Sequence, residues 1–394
     1  MGQPMDQTEA RKRWAMLALI FATRAGLGFQ FQTMGSVSDH VATHLSLSAA
    51  ETGTLIGLFL VPGLVLSIPA GFAGRHVPDR MLVALGLACL TLGSALAAIG
   101  SSFAMLAAGR LLCGVGFVFG SIYYTKMVAD WFAGRELATA MAILVMSWPF
   151  GIAMGQVGHT WMAATLGWQA AFVAAGLYCL IGTIAMLLAY RPPHGTTSVA
   201  AAASSRLTSR EWTLTLIVAV AWAAFNAGYV LYLSFAPRVL VAGGLGAFEA
   251  ASVLSLASWV MIFSGALCGW VADRTGRADL IFYFCLCCAI ASMALLPQVA
   301  WAIPVSLLFV LLGVAPAGIV MALTGAAMAP QNRAFGMGVF LTVFFLVTGP
   351  APALGGWLFD RTADPFVPIL LAIAMFGLTI GAYAAFRVAQ RVTR

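Results

Sequence analysis

Charge is scarce in this chain. Aspartate, glutamate, lysine and arginine together make up 8% of the 394 residues, and apolar residues make up 62%. An ordinary soluble domain is roughly 25% charged, so most of this surface cannot face water. Acids are missing where they would matter most. Asp6, Glu9, Asp39, Glu51, Asp79, Asp130, Glu136, Glu211, Glu249, Asp273, Asp279, Asp360 and Asp364 all fall in loops or at the ends of apolar runs. No carboxylate is therefore expected at mid-membrane to carry a proton or to pair with a cation. No Gly-x-x-x-x-Gly-Lys-Ser/Thr phosphate loop occurs either. The seven cysteines, Cys89, Cys113, Cys179, Cys268, Cys285, Cys287 and Cys288, lie inside predicted helices. That placement points to small apolar packers, without disulfides, zinc or a cofactor. Histidines 40, 44, 76, 159 and 194 are expected at helix ends or in loops. No Ser/His/Asp or Cys/His grouping has a place to act, and an enzyme is not expected.

What the chain has in abundance is long apolar runs. Twelve stretches of about 20 residues, enough to cross a hydrocarbon layer of ~30 Å as helices, are predicted at 14–37, 51–73, 80–99, 102–127, 137–160, 167–190, 212–236, 249–272, 279–298, 301–328, 334–359 and 365–388. The first is too long, and too polar in its middle, to be a cleaved signal peptide. The expected fold is an all-α membrane protein of twelve transmembrane helices in two six-helix bundles. The first bundle covers 1–190, a small, polar and basic linker covers 191–210, and the second bundle covers 211–394. Arginines and lysines collect on one side. Arg11, Lys12, Arg13, Arg75, Arg80, Arg135, Arg191, Arg206, Arg210, Arg274, Arg277, Arg333, Arg387, Arg391 and Arg394 share it, and the opposite loops carry Arg238 and Arg361. That bias predicts cytoplasmic termini and linker in an inner membrane. The net charge of +7 is thus a topological signal, and the expected partners are the lipid bilayer and a small substrate, with no nucleic acid and a monomeric assembly.

The halves read as repeats. Gly71-Phe-Ala-Gly-Arg75 matches Gly269-Trp-Val-Ala-Asp273 at an offset of 269 − 71 = 198, and Glu51 matches Glu249 at the same offset. Pro149 and Pro350 keep a similar spacing, 350 − 149 = 201, each with glycines behind it. Parallel-related halves with breakers at matching places point to a transporter with its site between them.

Arg24 is the residue the site is expected to be built around. It lies ten residues beyond Trp14, about halfway across the bilayer at ~1.5 Å per residue. An arginine at that depth costs at least about 2.5 kcal/mol, which favours a water-filled cavity or a partner over lipid. The competing reading is a structural arginine bonded to carbonyls of a helix broken at Gly26 and Gly28. In the seventh span Asn226 and Tyr229 are three apart and share a face. As neutral donors they suit an anion whose charge arginine meets. Tyr123 and Gln32 are further candidates, and Lys126 is expected to snorkel to the interface.

The stretch Gly269-Trp-Val-Ala-Asp273-Arg274-Thr-Gly276-Arg277 resembles the Gly-x-x-x-Asp-Arg-x-Gly-Arg loop of the major facilitator superfamily. Arg110-Leu-Leu-Cys-Gly114-Val-Gly116 and Asp130-Trp131-Phe132-Ala-Gly-Arg135 are similar to its fourth-helix and following-loop elements. The resemblance implies two pseudosymmetric six-helix bundles and alternating access by rocking. It assigns gating or bracing to Asp273, Arg274, Arg277, Asp130 and Arg110, with Arg110 bracing the first helix. The first-half loop departs from the pattern: Arg75 stands where the acid matched by Asp273 would be, and a compensating pair with Asp130 or Glu136 is one outcome. Arginine in the first helix, followed by Leu45-Ser46-Leu47-Ser48, is similar to the anion:cation symporter and the cyanate and nitrate permease groups. Their usual acidic neighbour of that arginine is Thr23 here. The expected function is secondary transport of a small organic carboxylate or inorganic anion, by anion exchange or with a proton carried on the substrate. The alternatives are an amphiphile exporter, favoured by Trp148 and Trp161, and a non-transporting receptor or scaffold on the same fold.

Overall fold

The computed structural model describes residues 7–74, 76–132, 136–193, 207–329 and 332–392. All twelve predicted spans are helical and long and apolar enough to cross a membrane. The first half contains α1 (Gln7–Leu45), α2 (Ala49–Gly57) and α3 (Val61–Ala73) in one span, α4 (Asp79–Ala98), α5 (Phe103–Trp131), α6 (Leu137–Leu166) and α7 (Trp168–Ala189). The second half contains α8 (Ser209–Ala242), α9 (Ala247–Thr275) and α10 (Ala278–Leu295). It continues with α11 (Ala302–Leu308) and α12 (Ala317–Ala327) in the tenth span, α13 (Arg333–Thr348) and α14 (Ala351–Thr362) in the eleventh, and α15 (Val367–Val392). Arg75 lies outside the described residues, as does the Asp273 side chain, so the loop asymmetry between them has no structural account here.

The repeat has a local cause. Glu51 caps α2 by accepting the Ser48 amide at 2.9 Å, and Glu249 caps α9 by accepting the Gly246 amide at 2.9 Å. Each carboxylate also sits in the positive field of a helix N-terminus. The matching prolines behave differently. Pro149 lies inside an unbroken α6, whereas Pro350 marks the boundary of α13 and α14. Further breaks fall at residues 58–60, ahead of Pro62, and at a π-helical turn over Phe309–Gly313 followed by Pro316. Proline withholds an amide and crowds the preceding turn, so these are the places where the ladder changes pitch. α1 is continuous through Gly26 and Gly28, which removes the broken-helix setting considered for Arg24.

At the ends of the helices near Arg13 and the linker, Arg13, Lys126 and Arg387 each pair with an acid of their own half. Arg13 Nη2 meets Glu136 at 2.8 Å. Lys126 bridges Asp79 and Asp130, the latter at 3.1 Å, so it is an ion-pair hub where a snorkelling side chain was expected. Asp130 and Glu136 are thus each paired with a first-half cation. Arg274 lies over the Trp270 ring at 5.0 Å, and Arg277 stands at the N-cap of α10.

At the opposite, far ends the halves close on each other. The Asp39 carboxylate accepts both Nε and Nη2 of Arg238, at 2.9 and 2.6 Å. Asp360 of α14 accepts the amides of Ala49 and Ala50 at the start of α2, each at 2.8 Å. A second-half carboxylate therefore caps a first-half helix. Below the cap the backbones touch: a Cβ on Gly57 would lie 2.0 Å from the Gly349 carbonyl oxygen, and one on Gly356 would lie 2.0 Å from that of Ala49. Between α6 and α9, Ser255 donates to the Ala153 carbonyl and Ser258 to Gln156 Oε1, both at 2.8 Å.

Glycine at 57 is thus a condition of far-end closure, because any side chain there must displace backbone. Gly57→Val is expected to hold the far end open while the bundles still fold. On a cysteine-free background, Ser38→Cys should then react with an impermeant maleimide from the far side about tenfold faster or more. Asp360→Asn should act in the same direction by only a few-fold, since an exposed charge interaction contributes about 1 kcal/mol or less.

Candidate functional site

Arg24 is held against α6. Its Nη1 donates to the Leu144 carbonyl at 2.6 Å and to Ser147 Oγ at 2.7 Å. The approach is made possible one turn further on, where Gly28 and Gly151 let the two backbones meet. A Cβ on Gly28 would lie 2.3 Å from the Trp148 carbonyl oxygen, and one on Gly151 would lie 2.1 Å from that of Ala25. The other two guanidinium nitrogens are unmet. Nε is buried without a partner, and Nη2 has none among the described residues. Nε and Nη2 form one edge of the guanidinium, the edge that can face both oxygens of a carboxylate. Arg24 is in no ion pair with a described acid. The buried Tyr124 hydroxyl lies beside Thr23, the residue before Arg24.

Arg110 is its opposite. Fully buried, it donates from Nε to Leu55 O at 3.0 Å, from Nη1 to Gln30 O at 3.2 Å and from Nη2 to Phe31 O at 3.4 Å, with its guanidinium 4.7 Å from the Phe59 ring centroid. Every nitrogen is committed to carbonyls of α1 and α2, and no edge is left for a ligand.

The Asp39–Arg238 pair supplies a common level for the two halves. Arg24 lies 39 − 24 = 15 residues from it along α1 and Asn226 lies 238 − 226 = 12 residues from it along α8. At ~1.5 Å per residue these are depths of about 22 and 18 Å, within one helical turn of each other. Asn226 is half-buried and donates to the Trp222 carbonyl of its own helix at 2.8 Å. Tyr229 is buried, and its hydroxyl has no partner among the described residues.

Two of the expected contacts lie elsewhere. The Tyr123 hydroxyl accepts from the Gly74 amide at 2.6 Å and donates to Ala70 O at 2.5 Å, so it pins the end of α3 to α5. Its neighbour Tyr124 is turned toward Thr23 of α1 instead, because successive residues on a helix point about 100° apart. Gln32 lines a polar cavity of about 70 Å³ at the closed far end, with Ser36, Asp39, Gln156, Thr160 and Arg238. It is eight residues beyond Arg24, or ~12 Å. His159 was expected at a helix end. It is fully buried inside α6, against the Phe29 ring at 4.2 Å, and neither ring nitrogen has a partner among the described residues. α6 runs six residues past its predicted end (166 − 160 = 6), which draws this histidine into the bundle.

Sequence reasoning missed Tyr124, Ser147 and Phe117 as surroundings supplied by α5 and α6, and weighed Trp148 only as a mark of an amphiphile exporter. Trp148 and Phe117 are partly exposed, with ring centroids 5.4 Å apart, and are backed by Phe31 and Phe59. The seven-residue spacing of Phe117 and Tyr124 places both on one face of α5 and was the available signal.

Twelve spans in two halves, a closed far end and an isolated arginine at mid-depth define a multi-pass membrane transporter. The family model described as Major Facilitator Superfamily matches residues 16–352. The chain belongs to that superfamily and is not an enzyme. It is 25% identical over 356 residues to a hexuronate transporter of Bacillus subtilis (strain 168), covering 83% of each chain. It is also 25% identical over 381 residues to a gallate transporter of Pseudomonas putida, covering 88% of this chain and 82% of that one. Among solved structures, a bacterial homologue of the human lysosomal transporter Spinster, inward-facing and unoccupied, superposes with a TM-score of 0.76 at 16% identity, covering 96% of this chain and 97% of that one.

The two arginines should separate on mutation. Arg24→Ala is expected to abolish anion binding, read by thermal shift of purified protein, while insertion and the unliganded melting temperature change little. Arg24→Lys should restore little, because an ammonium cannot present a planar two-nitrogen edge. Arg110→Met should lower stability by about 2 kcal/mol or more, since three buried carbonyls lose a charged donor. Normal transport by Arg24→Ala would place the site elsewhere.

Proposed function

We propose that this chain carries a small organic anion across the inner membrane by alternating access, with its termini on the cytoplasmic side and Arg24 as the counter-charge. One observation carries the reading: the free Nε–Nη2 edge of a mid-membrane guanidinium that no described carboxylate neutralises. The hexuronate and gallate transporters among its relatives favour a carboxylate over an inorganic anion. Asn226, on the facing half and within a turn of the same depth, supplies a neutral amide. With one full charge in the site, the anion is held without being trapped. Tyr229 would join only if its buried hydroxyl turned toward the site, and Gln32 only while the far end is open.

The charge balance bears on coupling. Closing the site around an empty guanidinium desolvates an unpaired cation at a cost of several kcal/mol, and a bound anion removes that cost. The loaded carrier therefore reorients faster than the empty one, which favours anion exchange, with any proton entering on the substrate itself. In liposomes, uptake of labelled carboxylate should be stimulated several-fold by the same anion on the trans side. A pH gradient alone should drive little uptake of a strong acid. Rapid pH-driven accumulation without counter-anion would show a proton site in the protein. Its loss in His159→Gln would then assign that site to the buried histidine.

A further inference from the structure

The surroundings of Arg24 discriminate among organic anions, and the discrimination rests on the reading of Arg24 as the anion's counter-charge. Beyond the guanidinium, past the level where Gly28 meets the Trp148 backbone, stands a wall of four rings, with Phe31 seven residues along α1 from Arg24. Trp148 packs against Phe117 at 5.4 Å and Phe31 at 5.3 Å, and Phe59 against Phe31 at 5.5 Å and Phe117 at 5.2 Å. Phe31 and Phe59 are buried backing, whereas Trp148 and Phe117 keep exposed surface. The indole N–H of Trp148 has no acceptor among the described residues and is not sealed from solvent. Trp148 follows Ser147, the residue whose hydroxyl fixes Arg24. The residue that fixes Arg24 and one ring of the wall are thus neighbours on α6.

Much of the hydrogen-bonding capacity nearby is committed within the protein. Ser147 accepts from Arg24 and donates to Leu144 O at 2.6 Å, and Thr23 donates to Leu19 O of its own helix at 2.9 Å. Tyr123 is held by α3, and one of the two amide N–H groups of Asn226 goes to its own backbone. A polyhydroxylated sugar acid brought here would give up water at several hydroxyls with few groups to replace it. A planar ring gives up little and gains offset stacking on Phe117 and Trp148.

We propose that the substrate is an aromatic monocarboxylate, its carboxylate on the Nε–Nη2 edge of Arg24, its ring on Phe117 and Trp148, and one ring substituent able to accept from the Trp148 indole. The test is a competition series on the full-length protein in liposomes: benzoate and 4-hydroxybenzoate against cyclohexanecarboxylate, matched in size but not planar, and against glucuronate. The aromatic acids are expected to inhibit exchange, or shift the melting temperature of the purified protein, at concentrations about tenfold lower than the other two. Trp148→Leu and Phe117→Leu should each narrow that ratio to about twofold, and Trp148→Phe should retain most of it. Equal or tighter binding of cyclohexanecarboxylate or glucuronate by the unmodified protein would overturn the proposal while leaving the anion reading in place. Failure of every carboxylate to bind, with Arg24→Ala indistinguishable from the parent, would overturn the anion reading itself. The comparison within the unmodified protein decides the matter even if a leucine variant does not fold.

Discussion

A guanidinium held at mid-membrane with two of its three nitrogens unmet is the constraint on which the rest depends. Its charge cannot be removed at ordinary pH, so the protein must give it water, a partner or a ligand. The structure supplies half of the answer. Leu144 and Ser147 hold Nη1, which fixes the position and plane of the group, and the remaining edge is left open. Arg110 shows what a fully structural arginine looks like in the same fold: each nitrogen on a carbonyl, a ring against the plane, no exposed surface. The contrast between the two, and not burial alone, marks Arg24 as the residue with chemistry still to perform.

Much of this was legible in the sequence, for reasons of scale. Twenty-residue apolar runs are set by bilayer thickness, so all twelve spans could be placed, although the ends of the first, fifth and seventh fell short. A charge ten residues past the first tryptophan is conspicuous in so apolar a chain. What remained hidden depended on helix phase and on contacts between distant segments. Tyr123 and Tyr124 are adjacent in sequence, and only the packing of α5 decides which one meets α3 and which meets α1. His159 looked peripheral because α6 was cut short, and Lys126 looked like a lone interfacial cation because Asp79 is 47 residues away from it. Pro149 and Pro350 match in sequence but not in effect, since a proline's consequence depends on whether neighbours satisfy the carbonyl it frees.

The site and the far-end closure share their scaffolding, and this links binding to movement. α1 carries Arg24 and Asp39, α8 carries Asn226 and Arg238, and α6 carries Ser147 and Trp148 together with the Ala153 and Gln156 contacts to α9. A rigid tilt of one half that separates Asp39 from Arg238 must therefore also change the spacing between Arg24 and Asn226, about 20 Å down the same two helices. The ion pair, the Asp360 cap and the two serine bonds are each weak enough to break in turn, whereas the glycine contacts at 57 and 356 can form only when the halves are fully apposed. Closure is thus selected by shape and held by modest charge interactions, an arrangement that lets the two states stay close in free energy. In such a balance the several kcal/mol attached to an unpaired or paired Arg24 is large enough to decide which state the protein can cross between. The anion supports transport less by how tightly it is held than by removing the penalty that keeps the empty site from closing.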